Sequence, residues 1–269
     1  MRYRAPLRSD VAREVFERPP LLEWNAYRGL VDGPQWPTVD TLNARRPAGT
    51  DWRFVAQTPA LLADGLHYEQ RIAERGQIAT REGNWHDLFN ALVWLRHTAL
   101  KQALNAQQVS EMARLGPKRR SRAQYALTHF DEAGVIVSVR DPHLLALWDA
   151  HDWHGLFWRH RVAWRDGTID VQLFGHALLE HALTPDMLLV GKALVGLSPG
   201  TEAVPAMAAF TAAIADGRCL RDPLELRPLP LSGLPGWHAG NEVERFHREA
   251  ACYQPRRPDR HYPAALRLA

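Results

Sequence analysis

The segment that follows Gly83 constrains the fold more than any other. Asn84 is a strong helix N-cap, and Asp87 stands three residues on, as in a capping box. Trp85, Leu88, Phe89, Leu92, Leu95, Ala99 and Ala103 then recur at helical spacing. The spacing predicts one helix to about residue 105. Its apolar stripe must be covered by other elements, so this chain needs a packed core around it. With 269 residues, 46% hydrophobic and 23% charged, the chain can supply one.

The surrounding elements are short and mixed. Residues 52–57 alternate like a strand. Residues 66–74 read as a strand and turn, with a helix over 60–74 as the alternative. A shorter helix is expected over 106–115, ended by Gly116-Pro117. Residues 123–130 and 135–139 read as a hairpin around the turn Asp131-Glu132-Ala133-Gly134. Asp141-Pro142 opens a helix over 143–150, and a second is expected over 153–164. Strands over 169–174 and 188–197 and helices over 176–183 and 204–215 complete the core. Nothing repeats at a fixed period, and no regular βαβ alternation occurs. The expected class is α+β: a helix-rich single domain with short antiparallel strands and a hairpin. An irregular lead-in (1–50), where Trp24, Tyr27 and Trp36 dock, precedes the core (51–220). An extended Pro-rich tail (221–269) follows it.

Several classes are excluded. Cys219 and Cys252 are too few for a disulfide framework or a Cys-based zinc site. The first twenty residues lack the apolar run of a secretory signal. The longest apolar stretch, 187–197, is broken by Gly191 and Lys192 and falls short of the ~20 residues that span a bilayer. A cytoplasmic location with no membrane partner is the expectation. The net charge is +3, so no global polycation exists. No P-loop, G-x-G-x-x-G, nucleophile elbow or zinc-finger spacing is present.

Residues with chemistry gather in short blocks. On a helical wheel His86, Asn90 and His97 form a polar stripe beside the apolar face, with Lys101 just beyond. His can act there as base or ligand, with Asn90 as its orienter. His176 and Glu180 are i,i+4 and share a helical face. His176-x-x-x-Glu180-His181 is one residue longer than the inverted zincin signature, which sets the two histidines roughly 140° apart and rules out that chelate. Asp131 joins the candidate site from its turn. His151, His154 and His160 read as an ordinary amphipathic junction. Arg114, Lys118, Arg119, Arg120 and Arg122 form a basic patch, and Arg256, Arg257 and Arg260 form another beside Tyr253 and Tyr262. Such patches can engage nucleic-acid phosphates.

The blocks Tyr68–Ile72, Asn84-Trp-His-Asp-Leu-Phe-Asn-Ala-Leu92, Ala126–Gly134 with Phe130-Asp-Glu-Ala-Gly134, Phe174-Gly-His-Ala-Leu-Leu-Glu180 and Gly233–Glu242 occur in this order. In them the chain resembles a bacterial family catalogued as a domain of unknown function, over about residues 20–258. That resemblance implies one domain and supplies no reaction. Members often carry Phe-Pro where this chain has Arg96-His97, which weakens His97 as a site residue. They often carry Trp-Trp where it has Trp237-His238. Three readings follow. The first is an enzyme, a hydrolase with a site at His86, Asn90, Asp131, His176 and Glu180; neither metal nor cofactor is specified. The second is a nucleic-acid-binding module using Arg114, Lys118, Arg119, Arg120, Arg122 and the tail arginines. The third is a non-catalytic interaction protein.

Overall fold

A computed structural model describes residues 3–116, 119–198 and 205–268. After the lead-in, β1 (Arg53–Ala56) pairs in parallel with β2 (Gln77–Thr80), and α1 (Tyr68–Arg75) makes the crossover. Residues 66–74 are therefore not a strand and turn, and the helix expected as the alternative over 60–74 occurs as two pieces, Pro59–Leu62 and Tyr68–Arg75. Gly76 ends α1 at φ 60°, and a Cβ there would lie 2.3 Å from the Asp51 carbonyl oxygen. Glycine alone meets both demands.

The central helix exists as two pieces. In α2 (Trp85–Arg96) the Asn84 side chain accepts from the Asp87 amide at 3.0 Å, as the cap predicts. The Asp87 carboxylate does not reach back to close a capping box. It accepts instead from the Arg81 backbone amide at 2.7 Å and the Arg81 guanidinium at 2.6 Å. The helix stops at His97, whose φ and ψ are −124° and 44°, and α3 (Thr98–Leu115) begins at once. The Thr98 hydroxyl donates to the Trp94 carbonyl at 2.7 Å. That back-bond to the preceding turn favours a bend. The break thus falls at residue 97 rather than near 105.

The expected hairpin is overturned. Residues 122–133 form a helix, α4 (Arg122–Ala133), which runs directly into β3 (Gly134–Val139). Ser121 and Gln124 make a reciprocal capping box at its start. Ala126, Leu127 and Phe130 are its buried face. Asp131 and Glu132 therefore sit on the last turn of a helix.

Downstream, α5 (Pro142–Ala150) begins where Asp141-Pro142 predicts it. The helix expected over 153–164 is instead one wide π-type turn, Gly155–Arg159, and a 3-10 turn, Arg161–Trp164. Then come β4 (Ile169–Leu173), α6 (His176–His181), β5 (Val190–Leu197) and α7 (Ala206–Ala215). The tail contributes β6 (Arg227–Pro230), α8 (Glu244–Glu249) and β7 (Leu266–Arg267).

The larger sheet has the order β4-β3-β5-β6, with β7 also on β5. Pairs β3–β4 and β5–β6 are antiparallel, and β3–β5 and β5–β7 are parallel. The fold is α+β, but its strands are mixed rather than purely antiparallel. One cluster of buried apolar side chains runs from Phe16 through Phe89, Val137 and Phe210 to Leu268. Trp24 is buried within it, and Trp36 packs edge-on against Trp85 at 4.7 Å. Among the described residues no helix is long and apolar enough to cross a membrane.

Candidate functional site

Two glycines bring the site together. Gly175 precedes α6, and Gly134 follows α4. A Cβ on Gly175 would lie 2.4 Å from the Gly134 amide nitrogen, and a Cβ on Gly134 would lie 2.2 Å from the Phe130 carbonyl oxygen. The amides of Phe174 and Gly175 both donate to the Gly134 carbonyl, at 3.0 and 2.8 Å. This backbone-to-backbone approach sets the start of α6 against the end of α4. Helix α2 packs against α6 from the other side.

His86, His176 and Glu132 meet at that junction. The Nε2 atoms of His86 and His176 are 3.0 Å apart. Behind His86, Nδ1 lies 3.1 Å from Glu180 Oε2. Behind His176, Nδ1 is buried, makes no hydrogen bond of ordinary geometry and lies 3.9 Å from Asp131 Oδ2. Glu132 reaches between the rings, 3.9 Å from His86 Nε2 and 3.6 Å from His176 Nε2.

A second polar cluster adjoins the first. Lys101 is 4% exposed, and its ammonium donates to Asp131 Oδ1 at 2.6 Å and to Asn90 Oδ1 at 2.8 Å. It also lies 5.4 Å from the Trp94 ring centroid. Asn90 Nδ2 donates to the Tyr68 hydroxyl at 2.8 Å. Asn105 Nδ2 donates to Glu69 Oε2 at 2.6 Å. These groups line one cavity of about 240 Å³, together with Arg81, Asp87, Gln108 and Thr128.

The environment separates the ionisable groups. The hydrogen bond to Glu180 raises the pKa of His86, against the effect of its burial. Burial depresses His176 to about 3, so it is neutral at ordinary pH. Burial pushes the Asp131 carboxyl up, but the Lys101 ammonium beside it outweighs this and holds Asp131 below the usual carboxylate range. Burial raises Glu132 and Glu69. The arrangement is one imidazole that favours its proton facing one that refuses it.

Of the sequence candidates, His86, Asn90, Asp131 and His176 line the cavity, and Glu180 supports His86 from behind. Asn90 does not orient a histidine. Its amide is spent on Lys101 and Tyr68. His97 leaves the polar stripe because the helix breaks there, and its ring packs near Trp24 and Phe174. Glu132, Tyr68 and Glu69 were not singled out as site residues. Glu132 was hidden by the hairpin reading, and the Ser121-x-x-Gln124 capping box was the signal that would have placed it on a helix.

The other candidates do not line this cavity. His151 contacts the Gln254 carbonyl and the Tyr262 hydroxyl, while His154 meets Glu244 at 2.9 Å. In the basic patch, Arg114 pairs with Glu111 at 2.6 Å and Arg122 pairs with Asp222. Arg120 lies over the Tyr125 ring and donates to Thr128. Arg119 is exposed, and Lys118 lies outside the described residues. In the tail, Arg260 donates to the carbonyls of Leu224 and Leu226, and Arg256 donates to that of Arg260. Of these, Arg114 and Arg122 are paired with acids, and Arg120, Arg256 and Arg260 donate to neutral oxygens of the chain. Exposed large apolar side chains, such as Leu7, Leu62, Val162 and Val243, come from separate elements.

Compared with known proteins, no curated protein and no solved structure matches the chain. A family model described as "Protein of unknown function (DUF3025)" matches residues 52–257, a span holding β1 to α8 and every residue of the cavity described above. The chain belongs to that family.

Proposed function

We propose that the chain is a hydrolase whose reaction centre is the His86–His176 pair. The observation that carries this reading is the 3.0 Å contact between the two Nε2 atoms at a polar cavity, with a carboxylate behind each ring. Glu180 holds the His86 ring and favours its charged form, which makes His86 the proton donor and acceptor at the cavity wall. His176 stays neutral and accepts a hydrogen bond from the His86 ring at its Nε2. Glu132 stands within 4 Å of both Nε2 atoms, where it can polarise an attacking water. A protonated group beside an ionised one is the division of labour of general acid–base hydrolysis. Lys101, fixed by Asn90 and Asp131, adds a positive charge at the cavity that favours a developing oxyanion. Cys219 and Cys252 are free and buried, which fits a reducing compartment, and we place the enzyme in the cytoplasm.

The test is a panel of chromogenic esters, amides, phosphomonoesters and phosphodiesters, run with the wild type and with His176→Asn. The expected result is turnover of one class, lowered about 10²–10⁴-fold in the variant. Turnover that survives His176→Asn, or a wild type inert on every class, overturns the reading.

A further inference from the structure

We propose that His86 Nε2, His176 Nε2 and the Glu132 carboxylate bind one divalent transition-metal ion of the zinc type. The inference rests on the hydrolytic reading of the same cavity but puts an ion in place of the proton between the two Nε2 atoms, and it stands or falls on metal binding and not on turnover.

Tautomers carry the argument. In neutral His86, the Nδ1 proton is claimed by Glu180, so the lone pair sits on Nε2. His176 Nδ1 faces Asp131, and a proton held there likewise leaves the lone pair on Nε2. Two lone pairs then point at each other across 3.0 Å, and either a proton on His86 Nε2 or a metal ion between the rings satisfies both. Glu132 turns toward the same point, and the three donor atoms lie within 4.8 Å of one another. An ion at about 2.05 Å from both nitrogens would subtend an N–M–N angle of about 94° at the present separation, and a few tenths of an ångström of opening reaches the tetrahedral value. Two imidazoles and one carboxylate leave a coordination position for water, the composition of catalytic zinc sites. Glu180, 3.1 Å from His86 Nδ1, stands where a carboxylate orients a metal-bound imidazole.

Charge points the same way. Around the cavity, Asp87 is paired with Arg81, Asp131 with Lys101, and Glu69 accepts from Asn105. The ion-pair partners of Glu132 among the described residues are the two imidazoles. Its negative charge is the one that a bound cation would balance.

The experiment is calorimetric titration of chelator-stripped protein with zinc chloride, with metal content measured after gel filtration. The wild type should retain one zinc per chain. Glu180→Gln should weaken binding about 10–100-fold. Glu132→Gln, at a partly exposed helix end, should weaken it at least as much, while circular dichroism stays unchanged. His154→Ala, which removes the separate His154–Glu244 pair, should bind as the wild type does. A wild type that binds no zinc overturns the site, and so does affinity unaltered by both glutamine variants. Stoichiometric zinc without hydrolysis of any substrate upholds the site and sinks the hydrolase reading. Hydrolysis by a zinc-free wild type that takes up no metal does the reverse.

Discussion

Replacing Lys101 by methionine isolates the second polar cluster. The methionine keeps the unbranched apolar stem, one atom shorter, and removes the charge of a residue that is 4% exposed. Three consequences follow from the geometry. Asp131 loses a partner at 2.6 Å, Asn90 Oδ1 loses a donor at 2.8 Å, and the Trp94 face loses its cation. Breaking a buried ion pair from one side costs about 3–5 kcal/mol, because the surviving charge stays desolvated. Asp131→Leu, which strands the ammonium instead, should cost about the same. The double variant should cost far less than the sum. Both charges are then gone, and the residual penalty is the orphaned Asn90 oxygen, about 1–3 kcal/mol. The assay is urea unfolding of all four proteins, with free energies extrapolated to water. Two results refute the reasoning. A cost below about 1 kcal/mol for Lys101→Met would mean that the ammonium is solvated. Strict additivity in the double variant would mean that the pair is not coupled.

Three further outcomes are expected. Gly175→Ala puts a Cβ 2.4 Å from the Gly134 nitrogen, so it should lower stability by about 1–3 kcal/mol or more and, read by thermal melting and activity together, displace His176. Ser121→Ala removes the α4 cap at a cost of about 1 kcal/mol, a fall in Tm of about 2–4 °C by calorimetry. Burial, and then Arg96, lower His97 to about 4, so between that value and 6.5 the unfolded chain binds the extra proton and stability falls on acidification. His97 should contribute about 2 kcal/mol of the loss between pH 7.5 and pH 5, and His97→Phe should shrink the loss by about that much in denaturant melts at the two pH values.

How much was legible depends on what the signal rested on. The N-cap of α2, the Asp141-Pro142 start of α5 and the β4–α6 succession were readable because each is set by a few neighbouring residues. The strand pairing of β3 with β5 was not, since partners 58 residues apart leave no local trace. The β-rich composition of residues 123–130 masks α4, although the capping box at Ser121 and Gln124 marks its start. The same masking hides Glu132, the residue between the two rings. His86, Asn90, Asp131, His176 and Glu180 could be named from residue type and spacing, but not their contacts. Those depend on Gly134 and Gly175, whose role is visible only when the two backbones touch. Lys101 was seen as a neighbour of the stripe, yet its burial required α3 to restart at Thr98.

The most direct measurement compares initial rates of wild type, His86→Gln and His154→Gln on the first substrate that turns over. The account predicts a fall of about 10²–10⁴-fold for His86→Gln, and an unchanged rate for His154→Gln, whose ring pairs with Glu244 away from the cavity. Equal rates in all three proteins would contradict the assignment of the His86–His176 pair as the reaction centre.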